Sequence, residues 1–164
     1  MPCAGAAPPL NKPSSMNARL NFYQAAPDAI EALSIASTAL EAQFSDHLIK
    51  ALVELRVSQI NGCAYCVDLH SQQARALGEV PQRLDTLCVW REVSFFSDRE
   101  RAALAWAEAV TLVSQTHVPN EVFVEASHHF TPAELVQLTL VVGLMNAWNR
   151  LSISFRGQPA HRAA

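Results

Sequence analysis

The sequence predicts an all-α, single-domain helical bundle, and three observations carry that expectation. Apolar residues recur at intervals of three and four along almost all of the 164 residues. No stretch sustains the apolar–polar alternation, bounded by hairpin turn pairs, that a half-buried strand needs. Helix-start and helix-stop residues also punctuate the chain at helical lengths.

The segment Met1 to Ser15 is rich in Ala and Pro, with neither a basic leader nor a continuous apolar run. It reads as a mobile tail (1–19) and not as a signal peptide, with Met16 an alternative start. The folded domain is expected over 20–157, followed by a short tail, 158–164. Pro27 suits a first helical position and opens a helix through Ile30, Leu33, Ile35 and Leu40. Asp46 caps a second helix, carrying Leu48, Ile49, Leu52, Val53 and Leu55, which stops at Asn61-Gly62. A third runs from Cys63 to Gly78. After Pro81 comes a short helical segment, and the β-branched and aromatic residues from Val93 to Phe96 mark a connection. Ser97 with Glu100 forms a capping-box pattern opening a long helix through Trp106 and Leu112 that ends before Pro119. Asn120 caps a shorter helix to about His128. Thr131-Pro132-Ala133-Glu134 combines an N-cap, a proline at the first helical position and a capping-box glutamate, opening a helix to about Phe155 that is apolar on most sides.

Composition narrows the function. The net charge of −3, without a Lys/Arg cluster, gives no footprint for nucleic acid or an anionic membrane. No apolar run approaches the ~20 residues of a membrane helix. A soluble, cytoplasmic protein is expected, and in a reducing compartment a close cysteine pair points to catalysis or metal binding before a structural bridge.

That pair lies in Asn61-Gly62-Cys63-Ala64-Tyr65-Cys66-Val67-Asp68-Leu69-His70. On a helix Cys63, Cys66 and His70 fall within an arc of roughly 60°. The preceding turn places the cysteines at the helix start, where unpaired N–H groups and the macrodipole stabilise a thiolate. Cysteines so placed titrate at roughly 3.5–7.5 instead of about 8.5. A thiolate attacks peroxides and disulfides, and a neighbouring thiol condenses with the sulfenic acid that results. Cys66 is the better nucleophile, with His70 at i+4 to take or stabilise its proton. Cys63, nearer the exposed helix end, suits the resolving role. Zinc is an alternative if Cys88, His117, His128 or His129 completes a ligand set. Haem attachment is excluded because Val67, not His, follows the second cysteine. His47, His117, His128 and His129 read as surface or capping residues, and Trp90, Trp106 and Trp148 as packing. Glu54 sits out of phase with Leu48, Leu52 and Leu55, a position where a solvated glutamate is the ordinary reading.

The run Arg56 to Ser71, containing that motif, resembles the signature of the alkylhydroperoxidase D-like branch of the carboxymuconolactone decarboxylase family. The resemblance extends loosely over Leu20 to Phe155, including Trp106-Ala107 and Leu144-Met145-Asn146-Ala147-Trp148-Asn149-Arg150. It implies an all-helical protein assembled as a trimer or hexamer. It further implies that Cys66 is the peroxidatic thiol, that Cys63 resolves it as a disulfide, and that His70 and Glu54 form a proton relay. The true decarboxylases of the family typically lack the cysteine pair, so the resemblance favours redox chemistry. The expected function is thiol-dependent reduction of an alkyl or hydrogen peroxide in antioxidant defence, without a bound cofactor, recycled by an external thiol reductant. A disulfide reductase serving another redox protein, or a zinc-stabilised helical interaction protein, are the alternatives.

Charged residues make up 16% of the chain, below the usual ~25%. With the broadly apolar last helix, this predicts a homo-oligomer. Light scattering at micromolar concentration should give a multiple of 17.9 kDa, and a stable monomer would contradict the expectation.

Overall fold

A computed structural model describes residues 18–161, so the expected tail 1–19 lies almost wholly outside the described residues. These form nine α-helices: α1 (Phe22–Ala25), α2 (Pro27–Gln43), α3 (His47–Asn61), α4 (Ala64–Ala76), α5 (Pro81–Thr86), α6 (Asp98–Thr111), α7 (Val113–Thr116), α8 (Asn120–His129) and α9 (Pro132–Ser154). A 3-10 segment, Leu87–Glu92, joins α5 towards α6, and no strand occurs among the described residues. No single described helix is long and apolar enough to cross a membrane.

Helix α3 is the spine, packed against α4, α6 and α9. One face, with Val53 and Val57, enters a cluster containing Trp106, Leu138, Val142 and Met145. Its other face, with Leu52 and Leu55, joins Leu87, Trp90 and Leu104. Burial on two sides places Lys50 and Ser58 inside the protein as well.

The expected caps form at most helix starts. Asp46 Oδ1 accepts from the Ile49 N–H at 3.0 Å, and both the Ser97–Glu100 and Thr131–Glu134 capping boxes close in full. Some boundaries differ. Cys63 is the N-cap of α4 and not its first residue, and Asn120 is the first residue of α8, after Pro119 as an N-cap without a side-chain bond. The helix begun at Ser97 breaks at Leu112 (φ −98°, ψ 30°), and α7 carries it on to Thr116. Helix α1 was not foreshadowed, because four residues are too short for periodicity; it is capped by Asn21, which accepts from Tyr23 N at 3.1 Å. Trp90 and Trp106 pack as expected and are buried.

A buried polar cluster pins the end of α3 to α9. Asn149 is wholly buried; its Oδ1 accepts from Asn61 Nδ2 at 2.8 Å and its Nδ2 donates to Ser58 Oγ at 3.2 Å. Ser58 in turn donates to the Glu54 carbonyl at 2.8 Å. Asn149→Ala would orphan buried polar groups and is expected to cost about 2–3 kcal/mol. A fall in the denaturant midpoint at unchanged m-value would report that loss.

Candidate active site

The site begins with the turn between α3 and α4. Gly62 adopts the left-handed conformation at φ 70°. There its N–H donates to Gln59 O at 3.2 Å, and that of Cys63 donates to Ser58 O at 3.0 Å. These two bonds make a Schellman motif, whose αL residue favours glycine because it lacks Cβ. The turn folds Cys63 back against α3. Cys63 is therefore 1% exposed, correcting the expectation that it lies nearer the exposed helix end.

Cys63 and Cys66 are joined as a disulfide with Cα atoms 5.3 Å apart. The Cys63 sulfur also accepts from the Cys66 N–H at 3.3 Å, so the N-cap acceptor of α4 is sulfur. The two cysteines differ in surroundings. Cys66 lines a cavity of about 360 Å³ between α2, α3, α4 and α9, whereas Cys63 takes no part in its wall. Leu69, Val141, Leu144, Met145 and Trp148 supply apolar parts of its lining, and Glu41, Lys50, Glu54, His70 and Gln73 polar ones.

All four sequence-predicted site residues converge here, with Cys63 just behind the wall. Glu54 is not a solvated surface glutamate: its side chain is 13% exposed, and its Oε2 lies 3.5 Å from His70 Nδ1. That is an ion-pair distance without an aligned hydrogen bond, and the buried Nδ1 has no hydrogen-bond partner among the described residues. The other Glu54 oxygen accepts from Lys50 Nζ at 2.8 Å. Lys50 also contacts Glu41 of α2, and Glu41 Oε1 lies 3.4 Å from His47 Nδ1. Burial lowers the His70 pKa from its ordinary 6.5, against the opposing pull of Glu54. For Lys50 burial also opposes charge, but Glu54 and Glu41 outweigh it and raise the pKa.

Sequence reasoning missed Lys50, Gln73 and Trp148 as parts of the site. For Lys50 a signal existed, since it stands at i−4 from Glu54 on one helix face. Trp148, read as packing, lines the cavity and donates from Nε1 to Ser37 Oγ at 3.0 Å, tying α9 to α2. The remaining candidates stay apart from the cavity. His128 and His129 face Glu125 on α8, and Cys88 is an exposed free thiol. No three His, Cys, Asp or Glu side chains among the described residues converge as a metal site, leaving the zinc alternative without a ligand set.

The all-helical domain thus carries a Cys-x-x-Cys pair next to a His70–Glu54 couple, with Cys66, His70 and Glu54 lining one cavity. Residues 27–109 match the carboxymuconolactone decarboxylase family, and the chain belongs to that family, in its AhpD-like branch. Uncharacterized protein YdfG of Bacillus subtilis is 33% identical over 147 residues, spanning 90% of this chain and 100% of that protein. A protein of unknown function from Agrobacterium tumefaciens, for which a role as antioxidant defence protein AhpD has been put forward, superposes with TM-score 0.87 at 35% identity. That match covers 89% of this chain and 100% of the other. An uncharacterized peroxidase-related protein from Silicibacter sp. TM1040 superposes with TM-score 0.73 at 25% identity, over 84% and 73% of the two chains.

The lowered His70 pKa has a consequence for stability. Between that lowered value and 6.5, the unfolded chain binds more protons at this position than the folded one, so stability falls as pH drops through the window. The denaturant midpoint is expected to decrease on acidification below pH 6.5, and His70→Gln should flatten that decrease. Equal pH dependence in both proteins would show that His70 contributes nothing to it.

Proposed function

We propose that the protein is a cytoplasmic thiol-dependent hydroperoxide reductase in which Cys66 is the attacking thiol, Cys63 the resolving thiol, and His70 with Glu54 the proton relay. The observation that carries this reading is the shared cavity: Cys66, His70 and Glu54 all line it, and Cys63 is paired with Cys66 from outside its lining. The family relationship and the AhpD role put forward for the Agrobacterium protein support it.

In the reduced protein the Cys66 proton passes to His70, and the thiolate attacks the distal, hydroxyl-bearing oxygen of the peroxide. The O–O bond breaks, Cys66 becomes a sulfenic acid, and the other oxygen leaves as an alcohol, or as water from hydrogen peroxide, after taking a proton. The Cys63 thiol then attacks the Cys66 sulfur, expelling water and forming the disulfide. An external dithiol restores both thiols by exchange and is itself oxidised to a disulfide. The residues use no bound cofactor. Exposed Val136 and Leu140 on α9, 60% and 50% accessible, support assembly of several copies through that face, as a trimer or hexamer.

Serine substitutions separate the two sulfurs. Cys66→Ser should reduce peroxide consumption to background, leaving Cys63 a thiol. Cys63→Ser should still consume about one equivalent, with the Cys66 sulfenic acid trapped by dimedone or over-oxidised, but should not recycle. Sulfenic acid accumulating on Cys63 in the Cys66→Ser protein would reverse the roles. Wild-type protein that exchanges readily with protein disulfides yet ignores peroxides would instead make it a disulfide reductase.

A further inference from the structure

The relay leaves one buried charge without a role. Lys50 is 9% exposed, and lysine is seldom buried unless paired. Its ammonium lies between two carboxylates, with Glu54 Oε1 at 2.8 Å on its own helix and Glu41 reaching in from α2. Glu41 is also 3.4 Å from His47, and the second oxygen of Glu54 is 3.5 Å from His70. Basic and acidic groups therefore alternate from the surface to the redox helix: His47, Glu41, Lys50, Glu54, His70.

The geometry points to Lys50 as a positioning residue: it holds one oxygen of Glu54, turns the other towards His70, and divides its charge between Glu54 and Glu41. Glu41 thereby governs, from a different helix, how strongly Glu54 acts on the imidazole. This inference rests on the reading of Cys66, His70 and Glu54 given above. The effect is large enough to matter because Lys50, Glu54 and His70 sit in a poorly solvated wall, where charges a few ångströms apart interact far more strongly than in water; the half-exposed Glu41 acts on them through Lys50.

The ionisable groups facing His70 are few. From α3 come Lys50 and Glu54, from α2 Glu41, and from α4 Cys66 and Tyr65; α1 adds Tyr23 at the cavity. Helix α9 contributes only Val141, Leu144, Met145, Trp148 and Ser152 to this wall, none of them ionisable. The signs of substitution follow. Removing Lys50 leaves both carboxylates unshared, so the imidazolium is favoured and His70 should protonate at higher pH. Removing the Glu41 charge deletes an anion and releases Lys50 to act wholly on Glu54 and His70, so His70 should protonate at lower pH. A lysine that merely filled space would give no such opposed pair.

The test is an NMR titration of histidine-labelled, fully reduced, full-length protein, with the His70 signal assigned by its loss in His70→Gln. Lys50→Met should raise the His70 midpoint by about one pH unit, the lower end expected for losing one nearby charge. Lys50→Arg should restore the wild-type midpoint, and Glu41→Gln, at a half-exposed position that endangers folding little, should lower it. An unmoved midpoint in Lys50→Met or in Glu41→Gln, or a failure of Lys50→Arg to restore it, would overturn the inference. The readout uses no peroxide: opposed shifts in a protein that does not turn over peroxide would sink the peroxidase reading while leaving Lys50 its role.

Discussion

The left-handed turn at Gly62 is the constraint on which the rest of the site depends. One positive φ ends α3, reverses the chain and starts α4 two residues later. A Schellman closure leaves little freedom in the angle of the departing chain, because both backbone bonds must be made together. Here it fixes which faces of α3 and α4 meet. Glu54, two turns before the bend, and His70, two turns after it, come opposite each other at 3.5 Å. Asn61 completes the fixation from outside the turn, donating to Asn146 Oδ1 at 3.0 Å and to Asn149 Oδ1 at 2.8 Å. The Cys-x-x-Cys motif is thus held from both sides, by backbone at Ser58 and by side chains of α9.

Such a site needs polar groups inside the protein, and burial makes each costly unless paired. The chain meets that requirement on α3 by spacing its polar residues at one helical turn. Lys50, Glu54 and Ser58 stand at successive i+4 positions, with ammonium bonded to carboxylate and hydroxyl bonded to the Glu54 carbonyl. The same column therefore serves the core and the cavity. Farther away, Glu108 does comparable work, accepting from Arg56 Nε at 2.8 Å and Trp90 Nε1 at 2.9 Å while pairing with Arg91. This holds the 3-10 segment against α3 and α6, and with it the second core cluster.

Legibility in the sequence followed the range of the interaction. Caps, proline positions and the Asn61-Gly62 stop are settled within four residues, so the helices α2, α3, α4, α6 and α9 were readable, as was the placing of Cys66 and His70 on one face of α4. What went unread depends on how separate helices pack against one another. Phase relative to the leucines suggested solvent for Glu54, but α3 is covered on two sides, and the direction that looked outward faces α4. The burial of Lys50 needs α2, and that of Asn149 needs both α3 and α9. Cys63 was misplaced for a more local reason: a cysteine at the start of a helix is exposed only if the preceding turn leaves it so, and the Schellman bond to Ser58 does not.

The burial of Cys63 also bears on the proposed catalytic cycle, in particular on which sulfur an incoming reductant reaches. Exchange proceeds at the accessible sulfur and expels the other as a thiolate. Cys66 meets the cavity and Cys63 does not, so on the proposed reading a reducing thiol attacks Cys66 and Cys63 leaves. The leaving sulfur is the N-cap of α4, already accepting the Cys66 N–H at 3.3 Å. Its negative charge forms at the positive end of a 13-residue helix, where the macrodipole favours an anion. On the proposed reading the N-cap position makes Cys63 the better leaving group, while Cys66 lines the cavity together with His70. On that reading peroxide and reductant share the one cavity, whose lining includes the partly exposed Tyr65.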